Sequence, residues 1–141
     1  LRQIEAPPRS RDALAAFAEA LASMELEGGV LLAPLLHLPN RDALAQVADF
    51  LLATEGVDTV VVYGPRQGRV ILSARTRNSD LHLGRTLAGR FPEGQAGGHR
   101  SLAGGQVRFS GLVEHDAAEP EEAIAAMTLV LRDLLGGEGD E

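Results

Sequence analysis

Two short apolar runs, Val30 to Leu36 and Val57 to Tyr63, bracket a segment in which Leu44, Val47, Ala48, Leu51 and Leu52 recur at helical spacing. This succession constrains the fold more than any other feature of the chain. Runs with so few polar positions suit strands covered on both faces, and a helix between two such strands joins them by a right-handed parallel crossover. Pro39-Asn40 supplies the break and cap before the helix, and Glu55-Gly56 stops it.

The chain around this β-α-β unit reads as more strand and helix. Ser10 caps a helix over about Arg11 to Glu25, with Leu14, Phe17, Ala18, Leu21 and Ala22 on one stripe. Gly64-Pro65-Arg66-Gln67-Gly68 is a turn, so Arg69 to Arg75 forms a strand antiparallel to the one before it. Alternation sets Val70, Leu72 and Ala74 on one face and Ile71, Ser73 and Arg75 on the other. A helix over about Asp80 to Arg90 ends at Pro92, Gln106 to Ser110 reads as a strand, and Pro120 opens a last helix with Ile124, Met127, Leu131, Leu134 and Leu135 on its apolar stripe. The expected class is α/β: a mixed sheet of about four to five strands in two or three layers, with helices packed on it, one β-α-β unit and one hairpin. Residues 1–10, with Pro7-Pro8, read as a linker from a missing upstream domain, 11–136 as one α/β domain and 137–141 as a disordered acidic tail.

At 141 residues the chain suits one core, and with 45% apolar but 4% aromatic residues that core is built from Ala, Val, Leu and Ile. The chain has no cysteine, which excludes disulfides, thiolate metal sites and thiol catalysis, and no apolar run approaches the ~18 residues of a membrane helix. A cytoplasmic location is the expectation. The net charge of −7 hides a segregation. Between Gly64 and Ser110 stand eight arginines (66, 69, 75, 77, 85, 90, 100, 108) against Asp80 and Glu93, giving +6, while the remainder carries five arginines and eighteen acids, giving −13. A basic segment on an acidic body points to an anion-binding face.

The least ordinary stretch is Glu93 to Gly105, with five glycines in thirteen residues. Glycines let a backbone turn tightly and bring its amides against a ligand, although such stretches also serve as plain turns. A strand-turn-helix-loop path can return Gly97-Gly98-His99 to the strand end that carries Arg75. There a guanidinium fork, glycine amides and an imidazole would form a phosphate clamp.

The segment from about Gly56 to Gly105 resembles the DHH-associated domain that follows the catalytic domain in DHH phosphoesterases, a group with nano-RNases, phosphoadenosine-phosphate phosphatases and cyclic-dinucleotide hydrolases. Ser73-Ala74-Arg75-Thr76 matches a strand ending Ser-x-Arg-[Ser/Thr], and Ala96-Gly97-Gly98-His99-Arg100-Ser101-Leu102-Ala103-Gly104 matches G-G-G-H-x-x-A-A-G, with Ala96 and Leu102 as departures. The resemblance implies that Arg75, Gly97, Gly98 and His99 grip a phosphate or terminal nucleotide of a phosphorylated small nucleotide or short oligonucleotide. Ser73, Thr76, Arg77, Arg100 and His82 are possible additional contacts. It also implies that a divalent metal pair, commonly manganese, belongs to an upstream Asp-His-His domain of the same polypeptide, so that this chain binds without cleaving. His115-Asp116 is the one place where a His stands beside an acid, and two such residues do not make a dinuclear metal site. No catalytic residue and no cofactor are assigned to this chain, and no membrane partner is expected. The competing reading is a non-catalytic RNA- or tRNA-binding module like that appended to alanyl-tRNA synthetases. A third is an α/β interaction domain whose glycines only turn the chain.

Overall fold

The computed structural model describes residues 10–38, 40–91, 95–114 and 119–136. The linker with Pro7-Pro8, the breakers Pro39 and Pro92, the His115-Asp116 pair and the acidic tail lie outside the described residues.

The elements run α1 (Arg11–Ser23), β1 (Glu25–Glu27), β2 (Val30–Pro34), α2 (Arg41–Leu52), β3 (Thr59–Arg66), β4 (Arg69–Thr76), α3 (Leu83–Arg90), β5 (Ala96–Gly98), β6 (Leu102–Arg108) and α4 (Pro120–Leu135), with a 3-10 turn at Phe109–Gly111. They build one six-stranded sheet in the order β1-β2-β3-β4-β6-β5. The β2/β3 pair is parallel and joined through α2 as expected, and every other pair is antiparallel. Two apolar clusters, one on each face, make the architecture three-layered. α1 and α2 cover Leu31, Ala33, Val60, Val62 and Ile71 on one face, while α3 and α4 cover Leu32, Val61, Tyr63, Val70, Leu72 and Val107 on the other. The alternation read along β4 therefore holds.

Four local readings are corrected. The sheet has six strands rather than four to five, because Glu25–Glu27 and Ala96–Gly98 pair despite having no alternating apolar pattern. β6 begins at Leu102 and stops at Arg108, not at Ser110. Gly104 and Gly105 are strand residues, since a Cβ at Gly105 would lie 2.2 Å from the Gln95 carbonyl oxygen and one at Gly104 2.9 Å from that of Leu72. α3 starts at Leu83 rather than Asp80, with His82 as its cap. In α1 the buried stripe is Ala13, Ala16, Phe17 and Ala20, leaving Leu14 and Leu21 each 54% exposed. Small alanines let α1 approach its neighbours closely, and the larger leucines fall outside that contact.

The two caps expected for α1 and α2 are in place. Ser10 Oγ accepts from the Ala13 amide at 3.0 Å, and Asn40 Oδ1 accepts from that of Ala43 at 2.9 Å. The β3–β4 turn is tighter than expected, with Gln67 at φ 52 and Gly68 at φ 77, the two positive values of a type I′ hairpin.

Tyr63 is the chain's one tyrosine, fully buried beneath α4. The Thr128 hydroxyl donates to the Ile124 carbonyl at 3.0 Å, so the phenol donates to Thr128 Oγ1 across 2.5 Å. Burial pushes the phenol from 10.0 up to about 12. A group whose folded value is raised contributes stability below its unfolded value and loses it as pH climbs through the folded value. Absorbance at 295 nm, which reads only this residue because tryptophan is absent, is therefore expected to show no phenolate step near pH 10. It should rise near pH 12, together with loss of helical circular dichroism.

Candidate functional site

An open cleft of about 470 Å³ lies on the α2 side of the sheet, where β4, β6 and β5 extend beyond the cover of α2. Arg41, Ser73, Arg75, Gly97, Gly98, His99, Leu102 and Gly104 line it. Arg75 and the Gly97-Gly98-His99 segment, carried on different elements, both line this one cavity.

Sheet register explains the shape of its floor. Ser73 pairs with Gly104, and Gly104 with Gly97, so one row across three strands carries a single small hydroxyl and two bare backbones. Arg75 and Leu102 form the adjoining row. A row without Cβ atoms lets a ligand touch the peptide plane directly. Gly98 adopts φ +140, and a Cβ there would sit 2.8 Å from Ala103 Cα, so this turn into the β5–β6 loop requires glycine.

Arg75 is held rather than free. Its Nε donates to Asp49 Oδ1 at 2.8 Å and its Nη1 to the Ala74 carbonyl at 2.9 Å, with the arginine side chain 11% exposed and that of Asp49 67% exposed. The fork's remaining N–H groups make no hydrogen bond among the described residues. The His99 imidazole has no protein hydrogen bond among the described residues and is exposed. The loop amides differ from the expected nest. The His99 N–H is spent on the Leu102 carbonyl at 2.9 Å, and the Leu83 and Gly84 amides at the start of α3 donate to the Arg100 and His99 carbonyls, each at 2.9 Å. The helix terminus thus pins the loop, and the glycines serve mainly by shape.

The additional candidates divide. Ser73 is in the cleft. Thr76 is buried, its hydroxyl shared among Thr59 Oγ1, the Asp58 carbonyl and the Asn78 amide. Arg77 donates to the Leu52 carbonyl at the end of α2, where a cation suits the helix terminus. His82 accepts from the Arg85 amide at 3.1 Å through Nδ1, and Arg100 donates to the Ser79 carbonyl at 3.1 Å. None of these four lines the cleft. The basic segment is accordingly no single face: of its eight arginines only Arg75 is a lining residue, and the second guanidinium there, Arg41, comes from the acidic remainder. Neither Arg41 nor Asp49 carried any sequence signal beyond its place on a helix. Among the described residues no group of three His, Asp or Glu side chains is placed to hold a metal, and no helix is long and apolar enough to cross a membrane.

A six-stranded mixed sheet with helices on both faces, and with Arg75 of β4 and Gly97-Gly98-His99 lining one cleft, defines an α/β class of domain. Residues 27–132 match the family model of the DHHA1 domain, and the chain belongs to that family. It is 34% identical over 135 residues to an uncharacterized protein of Methanocaldococcus jannaschii, covering 92% of this chain and 28% of that protein. Among solved structures, an exopolyphosphatase-related protein from Bacteroides fragilis aligns with TM-score 0.63 at 16% identity, over 89% of this chain and 36% of that one. A pGpG-specific phosphodiesterase from Vibrio cholerae aligns with TM-score 0.55 at 10% identity, over 91% and 40%. The chain thus spans well under half the length of each of these three proteins. The C-Ala domain of Aquifex aeolicus alanyl-tRNA synthetase aligns with TM-score 0.53 at 19% identity, over 82% and 99%. At the identities of the three structures the likeness is one of fold.

Proposed function

We propose that this chain is the substrate-gripping domain of a DHH-type phosphoesterase and that it holds a phosphate or terminal nucleotide of a short oligonucleotide or related phosphoester. The observation that carries this reading is the convergence of Arg75 with Gly97-Gly98-His99 on one open cleft. The remaining Arg75 N–H groups and the His99 imidazole are donors suited to phosphate oxygens, and the glycine row lets the sugar-phosphate lie against the sheet. Two of the aligned structures are described by phosphate-bond chemistry, which agrees in kind. Hydrolysis itself would fall to a metal-bearing catalytic domain outside this chain, with manganese the proposed ion. Here the domain's task is to fix the scissile phosphate by position, an effect worth several kcal/mol in a metal-assisted displacement.

The alanyl-tRNA synthetase likeness keeps an RNA-binding module as the second reading, with the C-Ala domain covered over 99% of its length. Calorimetric titration with a 5′-phosphorylated diribonucleotide and with a folded RNA hairpin separates the two. The dinucleotide is expected to bind, and His99→Ala to weaken it about 10-fold, the worth of one charge-assisted hydrogen bond. Tight binding of the hairpin, indifferent to His99→Ala, would establish the RNA module instead.

A further inference from the structure

Beyond the cleft, the same sheet face ends in a second basic site that the clamp does not use. Strand alternation puts Arg69, Ile71, Ser73 and Arg75 of β4 on this face, and Leu102, Gly104, Gln106 and Arg108 of β6 beside them. The cross-strand rows are Arg75/Leu102, Ser73/Gly104, Ile71/Gln106 and Arg69/Arg108. α2 covers Ile71 with Leu44, so the open lane runs over β6 past half-buried Gln106. Arg69 and Arg108, directly opposed, border a hollow of about 300 Å³ with Gln67, Gly68, Phe109 and Ser110. Neither guanidinium has an acidic partner among the described residues. Like charges facing each other across a ladder destabilise a sheet, and an anion between them removes that cost.

We infer that Arg69 and Arg108 form a distal phosphate subsite, joined to the Arg75–His99 clamp by a lane over β6, and that the ligand filling both is a single-stranded oligonucleotide. This rests on the clamp reading and goes beyond it to chain length. The six steps from Arg69 to Arg75 span about 20 Å of strand. A dinucleotide is too short to bridge that distance, whereas a strand of about four or more nucleotides, the small end of known single-strand sites, reaches both. Leu102, 48% exposed at the clamp end, offers an apolar shelf to a base. Arg41 at the start of α2 adds charge along the lane.

The test uses the 141-residue chain and 5′-phosphorylated oligoribonucleotides of two and six nucleotides, read by fluorescence anisotropy across a salt series. Wild type is expected to bind the hexamer at least 10-fold tighter than the dimer. Arg69→Gln/Arg108→Gln is expected to remove that advantage, leave the dimer within 2-fold, and lower the hexamer's salt slope by about 1.4, at roughly 0.7 per phosphate released. Arg75→Ala weakens both ligands. Should the double variant fold poorly, Arg108→Gln alone, at an exposed position, gives about half the slope change. Equal affinity for dimer and hexamer in wild type, an unaltered hexamer slope in the variant, or no binding of either ligand overturns the distal subsite. Equal affinity for the two lengths with Arg75→Ala still damaging leaves the clamp intact, while dimer and hexamer affinities that Arg75→Ala leaves both unchanged sink the clamp and not the basic pair.

Discussion

Gly84→Ala is expected to destabilise the chain by about 2–3 kcal/mol, the scale of an overpacked contact that cannot rotate away. Helix propensity alone predicts the opposite sign, because alanine is favoured over glycine by about 1 kcal/mol inside a helix. The difference lies in what the new methyl meets. A Cβ on Gly84 would stand 2.0 Å from the Gly98 carbonyl oxygen, 2.6 Å from its carbon and 3.0 Å from the His99 oxygen, all backbone atoms of the segment that α3 pins. Either the helix start or the glycine loop must move, and both possibilities break the hydrogen bond from the Gly84 amide to the His99 carbonyl. The thermal midpoint should fall by roughly 10 °C, at about 4 °C per kcal/mol for a chain of this size. Dinucleotide affinity should fall with it, since His99 is displaced from Arg75. Gly89, in the same helix and with nothing within 4 Å of where its methyl would go, is the control, and Gly89→Ala should raise stability by about 0.5–1 kcal/mol. Circular dichroism melts of the two variants decide the matter, and a pair of equal stabilisations would mean that the loop does not rest on α3.

That contrast also marks what was legible in the sequence. The β-α-β unit, the β3–β4 hairpin and the face assignment of β4 could be read because burial on both sides writes long apolar runs and alternation writes a period of two. Arg75 and His99 could be read as partners because the chain path between them is short and carries two matched motifs. The identity of β5 and the start of β6 could not, because Ala-Gly-Gly and Gly-Gly look like turn residues until the neighbouring backbones that exclude a side chain are in place. Asp49 and Arg41 were silent for a related reason. Each is a polar residue on the outer side of an amphipathic helix, and only the crossing of α2 over β4 tells Asp49 and Arg41 apart from solvated neighbours such as Asp42. Charge bookkeeping along the chain misled in part: Arg69, Arg75 and Arg108 share the sheet face of the cleft, but Arg77 goes to the end of α2, Arg85 and Arg90 to α3, and Arg100 to the Ser79 carbonyl.

Arg75→Ala is expected to weaken a 5′-phosphorylated dinucleotide by roughly 10- to 150-fold, from the ~1.5–3 kcal/mol of hydrogen bonds to a charged group. The effect on stability should be much smaller. Its partner Asp49 is 67% exposed and returns to water when the guanidinium goes, so the lost ion pair is worth at most about 1 kcal/mol. The salt slope should drop by about 0.7, one phosphate's share for a single strand. Arg75→Lys is expected to recover the charge but not the fork, because one ammonium cannot donate to Asp49 and bracket a phosphate in the same geometry; its affinity should lie between the other two. Asp49 sharpens the test. In Arg75→Ala its carboxylate is left beside the cleft without the guanidinium it paired with and repels the phosphate, so adding Asp49→Asn should restore part of the lost affinity. Asp49→Asn alone keeps an acceptor oxygen for Arg75 Nε while removing a negative charge beside the site, and should leave binding equal or a few-fold tighter. If Arg75→Ala binds like wild type at low salt, or if Asp49→Asn abolishes binding while Arg75 stays in place, phosphate is not held by this guanidinium. The cleft would then have to be read through His99 and Arg41 instead.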